Sequence, residues 1–427
     1  MKSILTSFII ALLFISCSSS KTAGNLIVVN QPAEFEAQEA IWMIWPSTNH
    51  KKGESVEEVT LSIIEALIEE IDIVITCKDI ALLNQAKQTV GNRFGQQPRI
   101  TFLEIPSFEI WTRDMGPIFV ETNKNSLAIA DFNFNSWGYS DTINSDTKTE
   151  EMYDVRVAEH YNLPVFSSSM ISEGGNREVN GKGTLITTEV VEMGRNPTLT
   201  KKQMEAEYER LLGIKKTIWL KQGLVEDKHT FLGPLATLDG TKAYTVVTTN
   251  GHIDEFARFV NDSTILLARI DSTQFDDPIA FENHQRIEEN YQILSSATDQ
   301  DDKPFTIFRM PLPGIVFSTL SAGDYVYEYI KTLDYKDGST FPSGDTVKVI
   351  AALSYLNFII TDKVVVGQTC WREGMPIEWK EKDVMAAEIL QSVFPNRKIV
   401  MIDALAVNLG GGGIHCVSMY QPALSNN

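Results

Sequence analysis

Hydrophobic and polar positions follow one repeating order along this chain: an amphipathic helical stretch, a short apolar strand, and a polar or glycine-rich turn. In the first repeat, apolar residues fall at helical spacing over 56–71, and residues 100–103 alternate as a strand. In the third repeat, Thr200 and Gln203 match a capping box, and Gly213 is placed to end the helix. The order recurs five times without sequence identity, which predicts a repeat architecture.

The remaining repeats show the same order. Further helices are predicted from Asp79 and over 150–161, 282–294 and 382–393, and further strands over 165–166, 217–220, 305–308 and 398–401. No linker rich in proline or serine divides the chain after its first residues, which favours one closed α/β domain. Two segments, 225–248 and 321–346, are longer than the repeat requires, and we expect them to be surface insertions that shape access.

The turns that end the repeats carry a consistent set of polar side chains. They are Asp114, Glu173, His252 with Asp254, Asn357, and Cys416. An ordinary stack of helices and strands would account for the secondary structure equally well, but not for this set. If the repeats surround an axis, these side chains converge on one cavity.

Cys416 is the best candidate nucleophile. It follows four glycines at 410–413, and glycine both adopts backbone angles closed to other residues and leaves space beside a thiol. The alternative is a flexible linker before a buried core cysteine, which is the commoner fate of a free thiol. Of the other cysteines, Cys77 ends an apolar run and is expected in a core strand, whereas the sequence assigns no role to Cys370.

The first residues resemble a bacterial lipobox signal. A charged start precedes an apolar run over 4–15 that is too short to span a bilayer and ends close to Cys17. The resemblance implies that residues 1–16 are removed, that Cys17 carries diacylglycerol and that 17–27 form a polar tether, which leaves 28–424 for the single repeat-built domain. An ordinary secretory signal is the alternative. The prediction is an exported bacterial lipoprotein of the cell envelope, anchored to a membrane by lipid alone.

Composition removes several classes of function. The three cysteines besides Cys17 have no paired spacing, and no two of the six histidines have metal-ligand spacing, so we expect neither disulfides nor a metal or other cofactor. The chain carries 56 acidic against 37 basic residues, a net charge of -19, which repels nucleic acid and attracts cationic small molecules. A merely soluble acidic surface accounts for the charge as well. The oligomeric state is not predicted.

A thiol, an imidazole and carboxylates suit attack on the carbon of a guanidinium group. A planar guanidinium pairs bidentately with carboxylates, and two of them on opposite edges would fix its central carbon under a sulfur. We assign Asp114 and Asp254 to that role. We assign His252 to the acid that protonates departing ammonia and then to the base that activates water, which a pKa of about 6.5 suits. Their structural alternatives are turn-capping carboxylates and a core histidine; His252 and Asp254 are expected on one face of an extended segment.

Seven motifs stand in order along almost the whole chain. They are residues 32–36 (PAEFE), 41–46 (IWMIWP), 111–117 (WTRDMGP), 134–138 (FNSWG), 173–176 (EGGN), 251–254 (GHID) and 411–416 (GGGIHC). Together they resemble the agmatine deiminase and bacterial-type peptidylarginine deiminase family.

The resemblance implies a five-bladed α/β propeller of the guanidino-group-modifying (pentein) kind and a metal-free hydrolysis through a covalent thiouronium intermediate. It matches Cys416 to the nucleophile, His252 to the acid and base, and Asp114 and Asp254 to the guanidinium carboxylates. The expected substrate-binding residues are Glu173, Asn357, Trp111, Trp137 and Gly412. The two tryptophans are otherwise core residues.

The leading prediction is the deimination of agmatine to N-carbamoylputrescine and ammonia. Export would suit free or peptide-bound arginine instead, but 134–138 looks like the agmatine branch, and no arginine pair is evident there to receive a peptide carboxylate. An amidinotransferase of the same fold would need an amine acceptor. In another class, an inactive surface lipoprotein would bind cationic ligands without turnover.

Overall fold

The computed structural model describes residues 26–140 and 144–424. The predicted signal peptide, Cys17 and nearly all of the tether lie outside the described residues, so the lipid anchor stays a prediction. Within the described ranges, no helix combines the length and the apolar character that crossing a bilayer requires.

Helices and strands alternate along the described chain. The helices are α1 (Val56–Leu67), α2 (Ile80–Phe94), α3 (Thr112–Met115), α4 (Ser145–Glu151), α5 (Tyr153–Tyr161), α6 (Glu189–Arg195), α7 (Lys201–Leu212), α8 (Pro278–Ser296), α9 (Tyr325–Ile330), α10 (Ile377–Val393) and α11 (Leu405–Asn408). The strands are β1 (Val28–Asn30), β2 (Gln38–Ile44), β3 (Asp72–Cys77), β4 (Ile100–Glu104), β5 (Ile118–Thr122), β6 (Leu127–Asn133), β7 (Val165–Ile171), β8 (Arg177–Val179), β9 (Thr184–Thr188), β10 (Lys216–Leu220), β11 (Leu235–Ala236), β12 (Lys242–Thr245), β13 (Ala257–Asn261), β14 (Thr264–Arg269), β15 (Thr306–Pro311), β16 (Phe317–Ser321), β17 (Thr346–Ile350), β18 (Ile359–Ile360), β19 (Val364–Thr369), β20 (Lys398–Asp403) and β21 (Met419–Pro422).

Five sheets share one plan, in which an antiparallel pair of strands is followed by a helical crossover to a third, parallel strand. The plan recurs as β21–β2–β3, β5–β6–β7, β8–β9–β10, β13–β14–β15 and β18–β19–β20. A parallel pair needs such a crossover, because its two strands run in the same direction. The repeat predicted from hydrophobic spacing is therefore present in the strand pairing of this mixed α/β fold.

The predicted helix ends are correct where capping residues mark them in the sequence. The Asp79 side chain accepts a hydrogen bond from Leu82 at the start of α2, and Thr200 and Gln203 form the predicted capping box of α7. Gly213 ends α7 in the left-handed conformation, with φ of 71°. The start of α10 was predicted five residues too late, because its first turn contributes no buried residue to the hydrophobic pattern.

A sixth sheet, in the order β11–β12–β17–β16, departs from the shared plan. Segment 225–248 supplies β11 and β12, and the prediction that it is a surface insertion is wrong: Val225, Ala243 and Val246 are buried core residues. The prediction was based on the length of the segment and did not take account of these apolar residues. Segment 321–346 is mostly exposed, and its helix α9 helps to line the cavity described below.

Candidate active site

The turns that end the repeats converge, and each holds its polar residue in a defined local structure. Asp114 lies in the short helix α3, Glu173 precedes a 3-10 turn at Gly174–Asn176, and His252 caps a second 3-10 turn, Ile253–Glu255. His252 therefore precedes a tight turn and Asp254 lies within it, so the extended segment predicted for them is wrong. All of these polar side chains are buried.

Cys416 lies in a polar pocket. Its sulfur accepts a hydrogen bond from Asn357 Nδ2 at 3.1 Å, with Asp254 Oδ2 at 3.6 Å and Glu255 Oε1 at 3.9 Å. Burial, Asp254 and Glu255 all raise the pKa of the Cys416 thiol well above its usual range. Before ligand arrives, the nucleophile is therefore a neutral thiol, and a nearby cation would favour its thiolate form.

The glycine run leaves space on one side of the sulfur. Of its four glycines, only Gly411 has a positive φ, 129°. A Cβ atom on Gly412 would lie 2.9 Å from Cys416 Sγ and 2.9 Å from Trp111 Cζ3, closer than Cβ atoms normally approach other atoms. Glycine at 412 thus lets the nucleophile and Trp111 both lie close to the backbone, and its role in substrate binding stays a prediction.

His252 is surrounded by carboxylates. Its Nδ1 lies 3.7 Å from Asp114 Oδ1, and its Nε2 lies 3.7 Å from Glu173 Oε2. Burial lowers the pKa of His252, but Asp114 and Glu173 together outweigh burial and raise it to about 9. The expected pKa near 6.5 is wrong, because the sequence does not show which charges face the ring. At neutral pH His252 is an imidazolium, which is ready to act as an acid.

Glu173 stands behind His252 and is held there by Arg195. Arg195 Nε donates to Glu173 Oε1 at 2.6 Å, and both side chains are buried. Although burial raises the pKa of Glu173, Arg195 and His252 lower it to about 2, so this carboxylate is ionised. The other oxygen of Glu173, Oε2, lies 3.7 Å from the imidazole of His252. This position suits Glu173 to orient His252 as well as to contact a ligand.

Asp114 and Asp254 face the same region with different partners. Asp114 accepts hydrogen bonds from Trp137 Nε1 and from the Gly175 backbone, each at 2.8 Å, and burial raises its pKa. Asp254 accepts a hydrogen bond from His415 Nδ1 at 2.7 Å. Burial raises the pKa of Asp254 too, but the hydrogen bond and charge of His415 outweigh it, and the pKa is lowered.

Several buried polar atoms here lack a hydrogen-bond partner. They are Glu173 Oε2, Asp254 Oδ1 and both ring nitrogens of His252. The space that these atoms border is called the gap here. Its walls pack closely round Gly175, where a Cβ atom would come 2.6 Å from His252 Nδ1, 2.9 Å from Asp114 Oδ1 and 3.2 Å from Asp254 Oδ2, so only glycine fits there. The two carboxylate oxygens are buried acceptors without donors, which is costly, so this gap fits a ligand that brings several N–H groups. The ring nitrogens of charged His252 are donors instead.

A cavity of about 360 Å³ adjoins this gap. Trp111 and Trp137 both line it and pack edge to face, with ring centroids 6.4 Å apart. The cavity is also lined by Glu109, Asp146, Glu150 and Tyr325. None of the described lining residues is a lysine or an arginine, and burial lowers the pKa of the lining His50 to about 4, so that ring is uncharged at neutral pH.

Sequence reasoning missed four residues that build the site. Asp227 lies in the segment read as an insertion, and its Oδ2 accepts hydrogen bonds from the backbones of Gly251 at 2.8 Å and His252 at 2.9 Å. Arg195 had no local signal at all. The other two were next to assigned residues: Glu255 follows Asp254, and His415 precedes Cys416 inside a quoted motif.

Asp254, Glu255 and Cys416 also form the group of donors, among the described residues, that could hold a metal ion. One ligand atom from each lies within 4.8 Å of the others. One of these atoms is the sulfur of the nucleophile, and the other two are its carboxylate neighbours. A metal ion bound there would therefore occupy the place that the site offers to a cationic ligand.

Comparisons with known proteins agree over nearly the full length. The profile of the Porphyromonas-type peptidyl-arginine deiminases matches residues 30–232 and 236–422. Agmatine deiminase of Medicago truncatula is 30% identical over 409 residues, covering 92% of this chain and 96% of that protein. Agmatine deiminase of Pseudomonas aeruginosa (strain LESB58) is 29% identical over 402 residues, covering 92% and 95%. The solved agmatine deiminase of Enterococcus faecalis matches with a TM-score of 0.72 at 25% identity, covering 93% of this chain and 96% of that one.

Fold and relatives together define a hydrolase of the pentein superfamily that acts on the carbon–nitrogen bonds of amidines. It deiminates guanidino groups. The chain belongs to the Porphyromonas-type peptidyl-arginine deiminase family.

Proposed function

We propose that this protein hydrolyses agmatine to N-carbamoylputrescine and ammonia. We infer the substrate from the acidic lining of the cavity beside the gap. Glu109, Asp146 and Glu150 line this cavity, and none of its described lining residues is a lysine or an arginine. The far end of agmatine is an ammonium, which these acids attract, whereas free arginine would bring a carboxylate that they repel. Burial raises the pKa of Glu109 and takes that of Glu150 to about 7, so an entering ammonium favours their ionised forms.

The five repeated sheets support a five-bladed α/β propeller. The turn after each repeat reaches the same gap, as expected if the repeats are arranged around it. Asp114 follows β4, Glu173 follows β7, and Cys416 follows β20. His252 comes after β10 and two strands of the sixth sheet, β11 and β12, and Asn357 comes after β15 and the other two, β16 and β17. Closure about one axis is the simplest arrangement that brings five sequential turns together.

In the first half of the proposed reaction, the guanidinium enters between the acidic side chains, and its charge favours loss of the Cys416 proton to solvent. The thiolate attacks the guanidinium carbon, forming a carbon–sulfur bond. Collapse of the tetrahedral adduct breaks one carbon–nitrogen bond, and His252 gives its proton to the leaving nitrogen. Ammonia departs, and a thiouronium remains on Cys416 with a neutral His252.

In the second half, water takes the place of ammonia. Neutral His252 accepts a proton from this water, and the resulting hydroxide attacks the thiouronium carbon. The carbon–sulfur bond breaks as the new hydroxyl group loses its proton to solvent and becomes the carbonyl of the ureido product. The product leaves, and the thiolate regains a proton from solvent. His252 ends as the imidazolium with which it began, so the site is ready for another turnover.

The test is a turnover panel with agmatine, free arginine, methylated arginine and an arginyl peptide, read out by ammonia release and product mass. We expect agmatine to be preferred and Cys416→Ala to be inactive. Cys77→Ala is the matched control, because Cys77 is a free, buried thiol in β3 outside the site. A preference for an arginyl peptide or for arginine would overturn the substrate. Transfer of the amidino group to an added amine would overturn hydrolysis.

The resting thiol gives a second test. A cationic haloacetamidine should alkylate Cys416 much faster than a neutral haloacetamide of the same size, because only the cation pairs with the acidic gap. Equal rates for the two reagents, measured by mass spectrometry, would contradict a thiol that the substrate's own charge activates. Binding of agmatine without alkylation or turnover would instead indicate an inactive binding protein.

Export and lipid anchoring through Cys17 are proposed from the signal pattern alone. Metabolic labelling with a fatty acid should mark the protein and should be lost in Cys17→Ser. Labelling that survives the substitution would contradict this proposal.

A further inference from the structure

His415, the residue before the nucleophile, is held between two carboxylates. Its Nδ1 lies 2.7 Å from Asp254 Oδ2, and its Nε2 lies 2.7 Å from Glu34 Oε2. The exposed fractions of the three side chains are 2% for His415, 0% for Asp254 and 7% for Glu34. An ionised carboxylate oxygen can only accept a hydrogen bond, so both ring nitrogens donate, and His415 is an imidazolium.

Glu34 is itself fixed by cations. Arg113 Nη2 lies 3.1 Å and Arg258 Nη2 lies 3.2 Å from Glu34 Oε2, and the backbone of Ile360 donates to Glu34 Oε1 at 2.9 Å. Burial raises the pKa of Glu34, but these arginines and His415 outweigh it and hold the pKa far below the usual range. The two arginines, Glu34, His415 and Asp254 thus form a buried line of alternating charges, named here the charge chain.

The charge chain ends at the gap. Because His415 occupies Oδ2 of Asp254, the other oxygen, Oδ1, is left without a partner. The same histidine also helps to place the nucleophile: its backbone donates to Asn357 Oδ1 at 2.9 Å, and Asn357 Nδ2 donates to Cys416 Sγ at 3.1 Å. One residue therefore sets both the free oxygen of Asp254 and the position of the sulfur.

We propose that Glu34 and His415 are positioning residues for guanidinium binding. They keep Asp254 charged before the ligand arrives and aim its free oxygen at the guanidinium. Neither residue needs to touch the substrate. This inference rests on the proposed deiminase function, since it names the means by which that site holds a planar cation.

A matched pair of substitutions tests the charge chain. Glu34→Gln keeps the size of the side chain but removes the charge that faces His415. Glu178→Gln is the control: Glu178 is also buried and accepts from Arg258 Nε at 3.1 Å and from the Phe259 backbone at 2.8 Å, but none of its described hydrogen bonds or ion pairs involves His415. Both variants lose one carboxylate partner of Arg258, but only Glu34→Gln loses one of the two carboxylate partners of His415, together with the carboxylate that faces Arg113.

Steady-state kinetics with agmatine between pH 5 and pH 8, on the full chain, separate the two roles. The titratable groups that face His415 are Asp254, Glu34 and Cys416, with Glu178 beyond Arg258. For Glu34→Gln we expect KM to rise about tenfold or more, and the acid limb of kcat/KM to move to higher pH, because Asp254 is less firmly ionised. For Glu178→Gln we expect KM and the acid limb to stay near the parent values, whatever its thermal stability.

Equal KM values and equal acid limbs in the two variants would overturn the proposal, because a merely structural role predicts similar losses. If Glu34→Gln does not fold, His415→Gln is compared with Glu178→Gln by the same readout. If the parent chain turns over no guanidino compound, the proposed function fails separately. The charge chain is then tested by the rate at which a haloacetamidine alkylates Cys416, which should fall in Glu34→Gln and not in Glu178→Gln.

Discussion

Asp114 and Asp254 border the same buried gap, yet their carboxylates are held in opposite ways. Burial raises the pKa of Asp254, but a charged hydrogen-bond donor, His415, stands 2.7 Å away and lowers it overall. Asp114 has only uncharged donors, Trp137 and the Gly175 backbone, while the charged His252 lies 3.7 Å away, and its pKa is raised. Similar burial gives opposite results because a short contact with a cation offsets the loss of water.

The contrast divides the work between the two residues. Asp254 carries its charge before any ligand binds, whereas the charge on Asp114 depends on His252 and on the cation that enters. The Cys416 thiol belongs to the second group, since burial and its acidic neighbours raise its pKa and keep it protonated until positive charge arrives. Asp254 is therefore ionised in the free protein, whereas the charged forms of Asp114 and Cys416 are favoured only when the cationic substrate binds.

Asp254→Asn should have the largest effect. Removing this charge deprives the bound guanidinium of a carboxylate partner, and losing one partner of a buried charge pair in a complex costs about 4 kcal/mol, or about 1000-fold in kcat/KM. Ammonia release from agmatine measures it. Asp154→Asn is the control, since Asp154 is a buried carboxylate of α5 outside the site and should leave turnover near the parent value. A loss below tenfold in Asp254→Asn would contradict the preformed charge.

Asp114→Asn should cost less, about 100-fold in kcat/KM, because its carboxylate is not fixed by a short cationic contact. It should also move the basic limb of the pH profile to lower pH, since Asp114 is the foremost of the groups that raise the pKa of His252. The pH dependence of kcat/KM reports both effects. An unmoved basic limb would show that His252 does not depend on Asp114.

The pH dependence of the parent enzyme should follow His252. Its pKa, raised from 6.5 to about 9, keeps the acid protonated at neutral pH, so kcat/KM should hold to about pH 9 and then fall about tenfold for each further pH unit. The same shift stabilises the fold below pH 6.5, and this contribution is lost as pH rises through about 9. Urea unfolding of the parent and of His252→Gln across that range measures the loss. A stability difference that is constant with pH would contradict the raised pKa.

Trp137→Phe should have the smallest effect, a loss of about tenfold, because it removes one hydrogen bond to Asp114 and keeps the aromatic ring. The matched control is Trp219→Phe, which removes a similar 2.8 Å hydrogen bond, to Glu205, in a partly buried position outside the site. Equal losses in the two variants, from the same ammonia assay, would show that the indole donor to Asp114 is not used.

The sequence predicted local structure correctly where that structure depends on interactions between residues close together in the chain. The caps of α2 and α7 depend on side chains within three residues of the backbone that they satisfy, so Asp79 and the pair Thr200 and Gln203 could be recognised. The residues of the converging turns were found through their chemical types and the family motifs. Segment 225–248 was misread because its length resembled an insertion, while its burial depends on pairing with β17, about a hundred residues later.

Contacts between distant segments could not be read in this way. Glu34 and His415 are 381 residues apart, and Arg195 lies 22 residues from Glu173. No hydrophobic spacing or cap predicts such pairs, because each depends on how the repeats pack. His415 and Glu34 both lie inside motifs that the family resemblance identified. The sequence therefore marked the two residues but did not show that they contact each other.

The sequence alone determined the repeated order of helices and strands, the polar residue in each turn, and the thiol, imidazole and carboxylate chemistry. These follow from side-chain type and from interactions between near neighbours. Only the tertiary structure decided which of those groups carry charge before the ligand binds. Protonation depends on burial and on charges a few ångströms away, and folding brings those charges from distant parts of the chain.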